Sequence, residues 1–124
     1  MIKSIRSIAV ATVFAAGVAN AVPSASAAPF DGPWSVVVMT RQGPCDPTYR
    51  YGITISNGVV YYAGGGAVSL TGRVSPSGAV SVRVSSGPQY AIGTGHLSRN
   101  RGGGSWRGQG ASGACAGSWA ASRG

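Results

Sequence analysis

The chain lacks most of the side chains that carry acid–base catalysis. Its 124 residues contain no glutamate, a single lysine at position 3, two aspartates and one histidine. General acid–base and nucleophilic mechanisms need several titratable groups in one place, and Asp31, Asp46 and His96 are the only carboxylates and imidazole available. The sequence also contains no G-x-S-x-G elbow and no G-x-x-x-x-G-K-[ST] phosphate loop. We therefore predict a protein that is not an enzyme and that needs no cofactor.

Long hydrophobic runs are absent after the first 27 residues. A basic start precedes an apolar run at 8–19, and a small-x-small cleavage site follows at 25–27. The run is shorter than the ~20 residues that a membrane-spanning helix needs. These features predict a secretory signal peptide at 1–27 and a single domain at 28–124. We expect the mature chain to be secreted or periplasmic, with no membrane span.

Cysteine is rare, and its two copies are far apart in the chain. Export to an oxidising compartment favours a disulfide between Cys45 and Cys115. Such a bond would close a loop of about 70 residues and stabilise the fold by roughly 4 kcal/mol. Two free thiols and a metal site are the alternatives, but a metal site would need further ligands, which are scarce here. We predict the disulfide and no metal.

Period-2 alternation of apolar and polar residues runs through the mature sequence and indicates strands. Asn57-Gly58 is the strongest hairpin signal, because both residues tolerate positive φ. Asp31 and Asp46 each precede a turn sequence and are placed to cap it. We predict an all-β meander of seven or eight antiparallel strands, with a basic glycine loop at 99–104. Closure into a barrel would hide the sheet edges, and an open two-sheet sandwich is the alternative.

Tryptophan occurs three times, always in the pattern G-x-W, at 32–34, 104–106 and 117–119. A glycine before a bulky indole suits the end of a barrel, so we predict that Trp34 and Trp119 are plugs or core residues. A wall on which a ligand stacks is the alternative role for these rings. The opening segment FDGPW also resembles the G-x-W start of calycin-type barrels, such as lipocalins and avidins. That resemblance implies an up-and-down barrel.

A broader resemblance covers most of the mature chain. The segments FDGPWSVVV, GPCDPTYRY, GTGHLS, GSWRG and CAGSWAA are together similar to a group of small, mostly uncharacterised exported proteins of alphaproteobacteria with F-D-G-x-W and C-x-G-x-W motifs. Some of those chains carry a label of heme utilisation or adhesion. The resemblance implies export and a compact, disulfide-bridged β domain, without an activity or functional residues to transfer.

Arginine supplies all the positive charge of the mature chain, with eight copies against two aspartates and a net charge of +6. Guanidinium groups bind carboxylates and phosphates in a bidentate way. We predict an exposed binding surface made of the following residues: Arg73, Arg83, Arg99, Arg101, Trp106 and Arg107. Trp106 would be its aromatic anchor. A basic surface that only keeps the protein soluble is the alternative.

The predicted function is therefore non-catalytic binding of an anionic envelope polymer or of another protein. Export argues against nucleic acid as the partner, and we expect a monomer. A second hypothesis is a calycin-like carrier of a small hydrophobic ligand or heme, which requires an apolar cavity of at least ~300 Å³. Heme would also require a ligand such as His96. A third hypothesis is an inhibitor that inserts a loop into a secreted hydrolase.

Overall fold

Eight antiparallel strands close into a barrel in the computed structural model, which describes residues 28–124. The predicted signal peptide lies outside these residues. A single 3₁₀ turn at Ala28–Phe30 precedes the strands. The strands are β1 (Gly32–Gln42), β2 (Thr48–Ser56), β3 (Val59–Tyr62), β4 (Ser69–Val74), β5 (Ala79–Ser86), β6 (Gln89–Leu97), β7 (Arg101–Gly110) and β8 (Gly113–Arg123).

Each strand pairs with the next one along the chain, and β1 also pairs with β8. This closed order confirms the barrel and rules out the two-sheet sandwich. The ladder is thinnest between β3 and β4, which share a single residue pair, Val59 with Arg73. In the part of the chain that is described, no helix has the length and apolar character needed to cross a membrane.

The hairpin between β2 and β3 forms where the sequence predicted it. Asn57 and Gly58 both have positive φ, 52° and 77°, as a two-residue type I′ turn requires. Asp31 caps this turn rather than its own, because its Oδ1 accepts a hydrogen bond of 3.0 Å from the Asn57 backbone N–H. The cap joins the segment before β1 to the far end of β2.

The glycine-rich segment after β6 differs from its prediction as a loop. Only residues 98–100 connect β6 to β7, and β7 begins at Arg101. Glycine disfavours strands when it stands alone. Here β7 has hydrogen-bonded neighbours on both sides, β6 and β8, and these ladders outweigh the low propensity. The predicted loop at 99–104 is therefore wrong for most of its length.

One end of the barrel holds the hydrophobic core. The buried cluster contains Phe30, Trp34, Ile55, Val60, Val74, Leu97 and Ala121. Phe30 comes from the 3₁₀ turn and covers this end, which we call the closed end. The connections between β2 and β3, β4 and β5, and β6 and β7 also lie here.

The predicted disulfide is confirmed and lies at the opposite end, which we call the open end. Cys45 in the β1–β2 loop is bonded to Cys115 on β8, with a Cα–Cα distance of 6.1 Å. Because Cys115 is 4 % exposed and faces the barrel interior, the bond draws the loop inward across the opening. The disulfide thus narrows the open end.

Candidate binding site inside the barrel

The barrel interior contains a cavity of about 220 Å³ that opens at the disulfide end. Alternation along each strand directs every second side chain inward, and these inward positions are almost all apolar. Trp34 and Ile55, each 1 % exposed, form the floor at the closed end. Apart from tyrosine hydroxyls, the polar side chains that line the cavity lie near the opening, and they are Ser85, Ser86, Gln89 and Gln109.

One wall of the cavity is built from branched aliphatic and tyrosine side chains on β2 to β5. Tyr51 and Tyr62 meet edge to face with ring centroids 5.8 Å apart. Burial raises the pKa of the Tyr51 hydroxyl, and the nearby Tyr49 and Tyr62 raise it further. Like any tyrosine, Tyr51 is protonated at neutral pH, and it can donate a hydrogen bond from an otherwise apolar wall.

The opposite wall is built from two indole rings laid against glycine backbone. In the β7–β8 ladder Gly104 stands opposite Trp119, and Trp106 stands opposite Gly117. A Cβ at Gly104 would clash first with the Thr94 carbonyl oxygen and would lie 2.8 Å from Nε1 of Trp119. One at Gly117 would clash first with the Met39 carbonyl oxygen and would lie 2.9 Å from Nε1 of Trp106. Each G-S-W repeat thus supplies a glycine that leaves room both for the neighbouring strand and for the other repeat's tryptophan.

Each indole N–H group on this wall donates to a backbone carbonyl on a strand other than β7 and β8. Trp106 donates to the Met39 carbonyl on β1 at 3.0 Å, and Trp119 donates to the Thr94 carbonyl on β6 at 3.1 Å. These hydrogen bonds fix the rings along the wall, because a buried indole N–H needs a partner. The wall is therefore rigid and presents flat aromatic surface.

Trp106 is not the exposed anchor that the sequence predicted. The residue is 9 % exposed and its ring lines the cavity. Arg107, its neighbour in the strand, is exposed. Period-2 alternation forces this outcome, since consecutive residues of a strand face opposite sides. The prediction is wrong because a loop at 99–104 leaves the register of the following residues undefined, whereas the strand that begins at Arg101 fixes it.

Trp34 is a buried core residue at the closed end, as predicted, whereas Trp119 is partly buried, packs against the core cluster and also lines the cavity. Trp34 donates to the Phe30 carbonyl at 2.9 Å, and the Arg123 guanidinium lies 4.6 Å above its ring. Arg123 also donates to the Asp31 carbonyl at 2.7 Å, so both Trp34 and the arginine above its ring are bonded to the segment before β1. Trp119 instead lies halfway along the wall, half-buried, in the position that the stacking alternative describes.

The predicted arginine residues are all exposed, but they are distributed over the barrel rather than gathered in one loop. Arg99 and Arg101 lie at the closed end, whereas Arg83 and Arg107 lie on the outer face of β5 and β7. Arg73 pairs with Ser81 and Arg83 with Thr71, which places the two arginines diagonally on the same outer face.

The titratable residues are separated in space. Asp31 precedes β1 and Asp46 follows it, so the length of the strand, roughly 30 Å, lies between them. His96 is exposed on the outside of β6 and does not face the cavity. Within residues 28–124 no group of three or more His, Cys, Asp or Glu side chains is placed to hold a metal ion. No family model, curated protein or solved structure matches this chain.

Proposed function

We propose that this protein binds a small, planar, mostly apolar molecule inside its barrel and carries it. The observation that supports the proposal is the apolar cavity, which opens at one end and has the Trp119 ring on one side. Deeply apolar pockets with few polar groups are typical of sites for small ligands. A surface that only kept the protein soluble would need no such cavity.

The cavity volume limits the size of the ligand. A protein cavity of about 150 Å³ holds benzene, so by proportion about 220 Å³ holds roughly nine non-hydrogen atoms. This volume is below the ~300 Å³ expected for a carrier of larger molecules. The ligand is therefore the size of a bicyclic aromatic compound, and heme is too large for the cavity as it stands.

The two walls select the chemistry of the ligand. The flat indole of Trp119 favours a planar ring, which it can contact in an offset stack. Two strands away from Trp119, the Tyr51 hydroxyl also lines the cavity and can donate one hydrogen bond. A planar aromatic molecule with one polar substituent satisfies both walls.

Titration with acetophenone, a planar aromatic ketone of nine non-hydrogen atoms, tests the proposal. At roughly 0.5 kcal/mol per non-hydrogen atom, about nine atoms give a Kd of about 5 × 10⁻⁴ M. The indole N–H signals of the three tryptophans in proton–nitrogen NMR spectra report the location. We expect the Trp119 signal to shift most and the Trp34 signal, at the sealed floor, to shift least.

A matched pair of substitutions separates binding in the cavity from binding elsewhere. Ala91→Phe adds a ring to an inward position that lines the cavity, and it is expected to weaken acetophenone binding by at least tenfold. Ala120→Phe adds the same ring to an exposed position on the outer face and is expected to leave binding unchanged. Equal affinities in the two variants, both folded, would contradict the proposal.

A further inference from the structure

The outer wall from β5 to β8 carries a continuous line of hydroxyl groups. Four side chains lie in direct register on these four neighbouring strands: Ser81, Thr94, Ser105 and Ser118. The first three are exposed and Ser118 is half-buried. We call this line the hydroxyl row. It runs across the strands, with a spacing of about 4.8 Å from one strand to the next.

Arginines border the hydroxyl row. Arg83 on β5 and Arg107 on β7 both pair with Ile92 on β6. Ile92 lies two residues before Thr94, so both arginines lie on the side of the hydroxyl row that faces the open end. Arg41 reaches the row from β1 and donates from Nε to the Ser118 Oγ at 3.2 Å. Arg73 pairs with Ser81 at the opposite end of the row. Guanidinium groups thus stand along one side of the row and at both ends.

No acidic side chain neutralises this surface. The sequence contains no aspartate or glutamate after Asp46, so β3 to β8 carry no side-chain carboxylate. Asp31 lies before β1 and caps the β2–β3 turn, and Asp46 lies in the β1–β2 loop. The positive charge of Arg83 and Arg107 is therefore available to an external anion.

We propose that the hydroxyl row and its bordering arginines bind a linear anionic polysaccharide that runs across the strands. Arg83 and Arg107 are two strands apart, about 10 Å, and meet two acidic groups of such a chain that are separated by a similar distance. The Ser and Thr hydroxyls both donate and accept hydrogen bonds, which suits the sugar hydroxyls between those groups. This function is separate from ligand binding inside the barrel.

The side chains on this face favour a polysaccharide over other polyanions. Single-stranded nucleic acids bind on several exposed aromatic platforms, but this face offers one exposed ring, Tyr90, and the Arg83 guanidinium lies 4.8 Å from its centroid. Protein interfaces place a cluster of large apolar residues at their centre, and on β6 this face offers only Tyr90 and Ile92. A flat bilayer would touch only a narrow strip of a convex barrel wall.

The test measures retention on immobilised polygalacturonate, a carboxylated polysaccharide, at low and high sodium chloride, with neutral dextran as the uncharged reference. The proposal predicts retention at low salt on polygalacturonate only, and release at high salt, because exposed charge pairs are screened. The double variant Arg83→Gln/Arg107→Gln is expected to bind about tenfold more weakly, the sum of two exposed charge contacts.

A second double variant controls for net charge. Arg50→Gln/Arg99→Gln also removes two positive charges, but from β2 and from the β6–β7 connection, away from the row. It is expected to retain most of the affinity, and circular dichroism establishes that both variants are folded. Equal losses in the two variants would show that only net charge matters and would overturn the proposal. Tighter binding to anionic vesicles or to single-stranded DNA than to polygalacturonate would also overturn it.

Discussion

The two ends of the barrel use the same residue types for different purposes. At the closed end Trp34 is 1 % exposed, covered by Phe30 and clamped by Arg123. Further toward the open end Trp119 is only half-buried and its ring borders the cavity. Both indoles are inward-facing and both have their N–H group hydrogen-bonded. The two rings differ in how completely other side chains cover them.

Because of this difference, the closed end contributes to stability, and the open end leaves space for a ligand. At the closed end large side chains fill the interior, so each one contributes burial energy and leaves no room for a ligand. Around Trp119 the neighbouring inward positions are glycines, and the β3–β4 ladder is reduced to one residue pair. The open end therefore depends on a covalent bond for rigidity, and the space left inside is free for a ligand.

The largest expected effect is at the closed end. Trp34→Ala is expected to lower the free energy of unfolding by about 3–5 kcal/mol, because it leaves a cavity in a closely packed core. Trp119→Ala is expected to cost about 2 kcal/mol, since one face of its ring already lacks packing. Urea denaturation followed by circular dichroism measures both. If Trp119→Ala is the more damaging change, the two ends do not differ as described.

The disulfide is the next largest contributor. Cys45→Ser/Cys115→Ser is expected to reduce the free energy of unfolding by about 2–4 kcal/mol, because the bond joins residues 70 positions apart. Hydrogen exchange should accelerate first in the β1–β2 loop and the end of β8 next to it, and last around Trp34. Uniform acceleration throughout the barrel would argue against a locally stabilised open end.

The close packing at Gly117 can be tested by adding one methyl group. Gly117→Ala would place a Cβ against the Met39 carbonyl oxygen and 2.9 Å from the Trp106 Nε1, so the expected destabilisation is about 1–3 kcal/mol. Gly65→Ala is the control, because a Cβ at that loop position has no neighbour within 4 Å. That change is expected to be neutral or to stabilise by about 0.4–1 kcal/mol. Thermal unfolding of both variants would show whether the tryptophan wall tolerates side chains.

The smallest expected effect concerns Tyr51 at alkaline pH. Burial raises its pKa above the ordinary value of 10.0, so the folded protein keeps this proton to a higher pH than the unfolded chain. The contribution is complete below pH 10 and is lost as the pH rises through the folded pKa. Tyr51→Phe should therefore make stability less sensitive to pH above 10 than in the native chain. Tyr61→Phe, at an exposed tyrosine, should leave that dependence unchanged in urea midpoints.

Local signals were sufficient wherever alternation was unbroken. The run from Tyr49 to Ile55, followed by Asn57-Gly58, predicted a strand and a hairpin, and both are present. Such features depend on neighbouring residues and on the φ values that they allow, which can be read from a short segment. Glycine removes this signal, since it has no side chain to show which face is buried. For that reason the strand status of 101–104 was missed.

The candidate site depends on contacts between distant segments. Gly104 and Trp119 are opposite each other only because β7 and β8 pair in one particular register. The three G-x-W patterns indicated that glycine and tryptophan belong together, but not that each glycine serves the tryptophan of the other repeat. The alignment of Ser105 with Ser118 has the same origin, and so does the hydroxyl row.

The sequence by itself determined the strand periodicity, the single possible disulfide and the near absence of catalytic groups, because each depends on residue type or on adjacent residues. Only the tertiary structure decided which tryptophan plugs the barrel and which lines the cavity. It also decided how large that cavity is and which arginines share a face. These properties depend on strand register and barrel closure, which bring residues together over distances that no local pattern records.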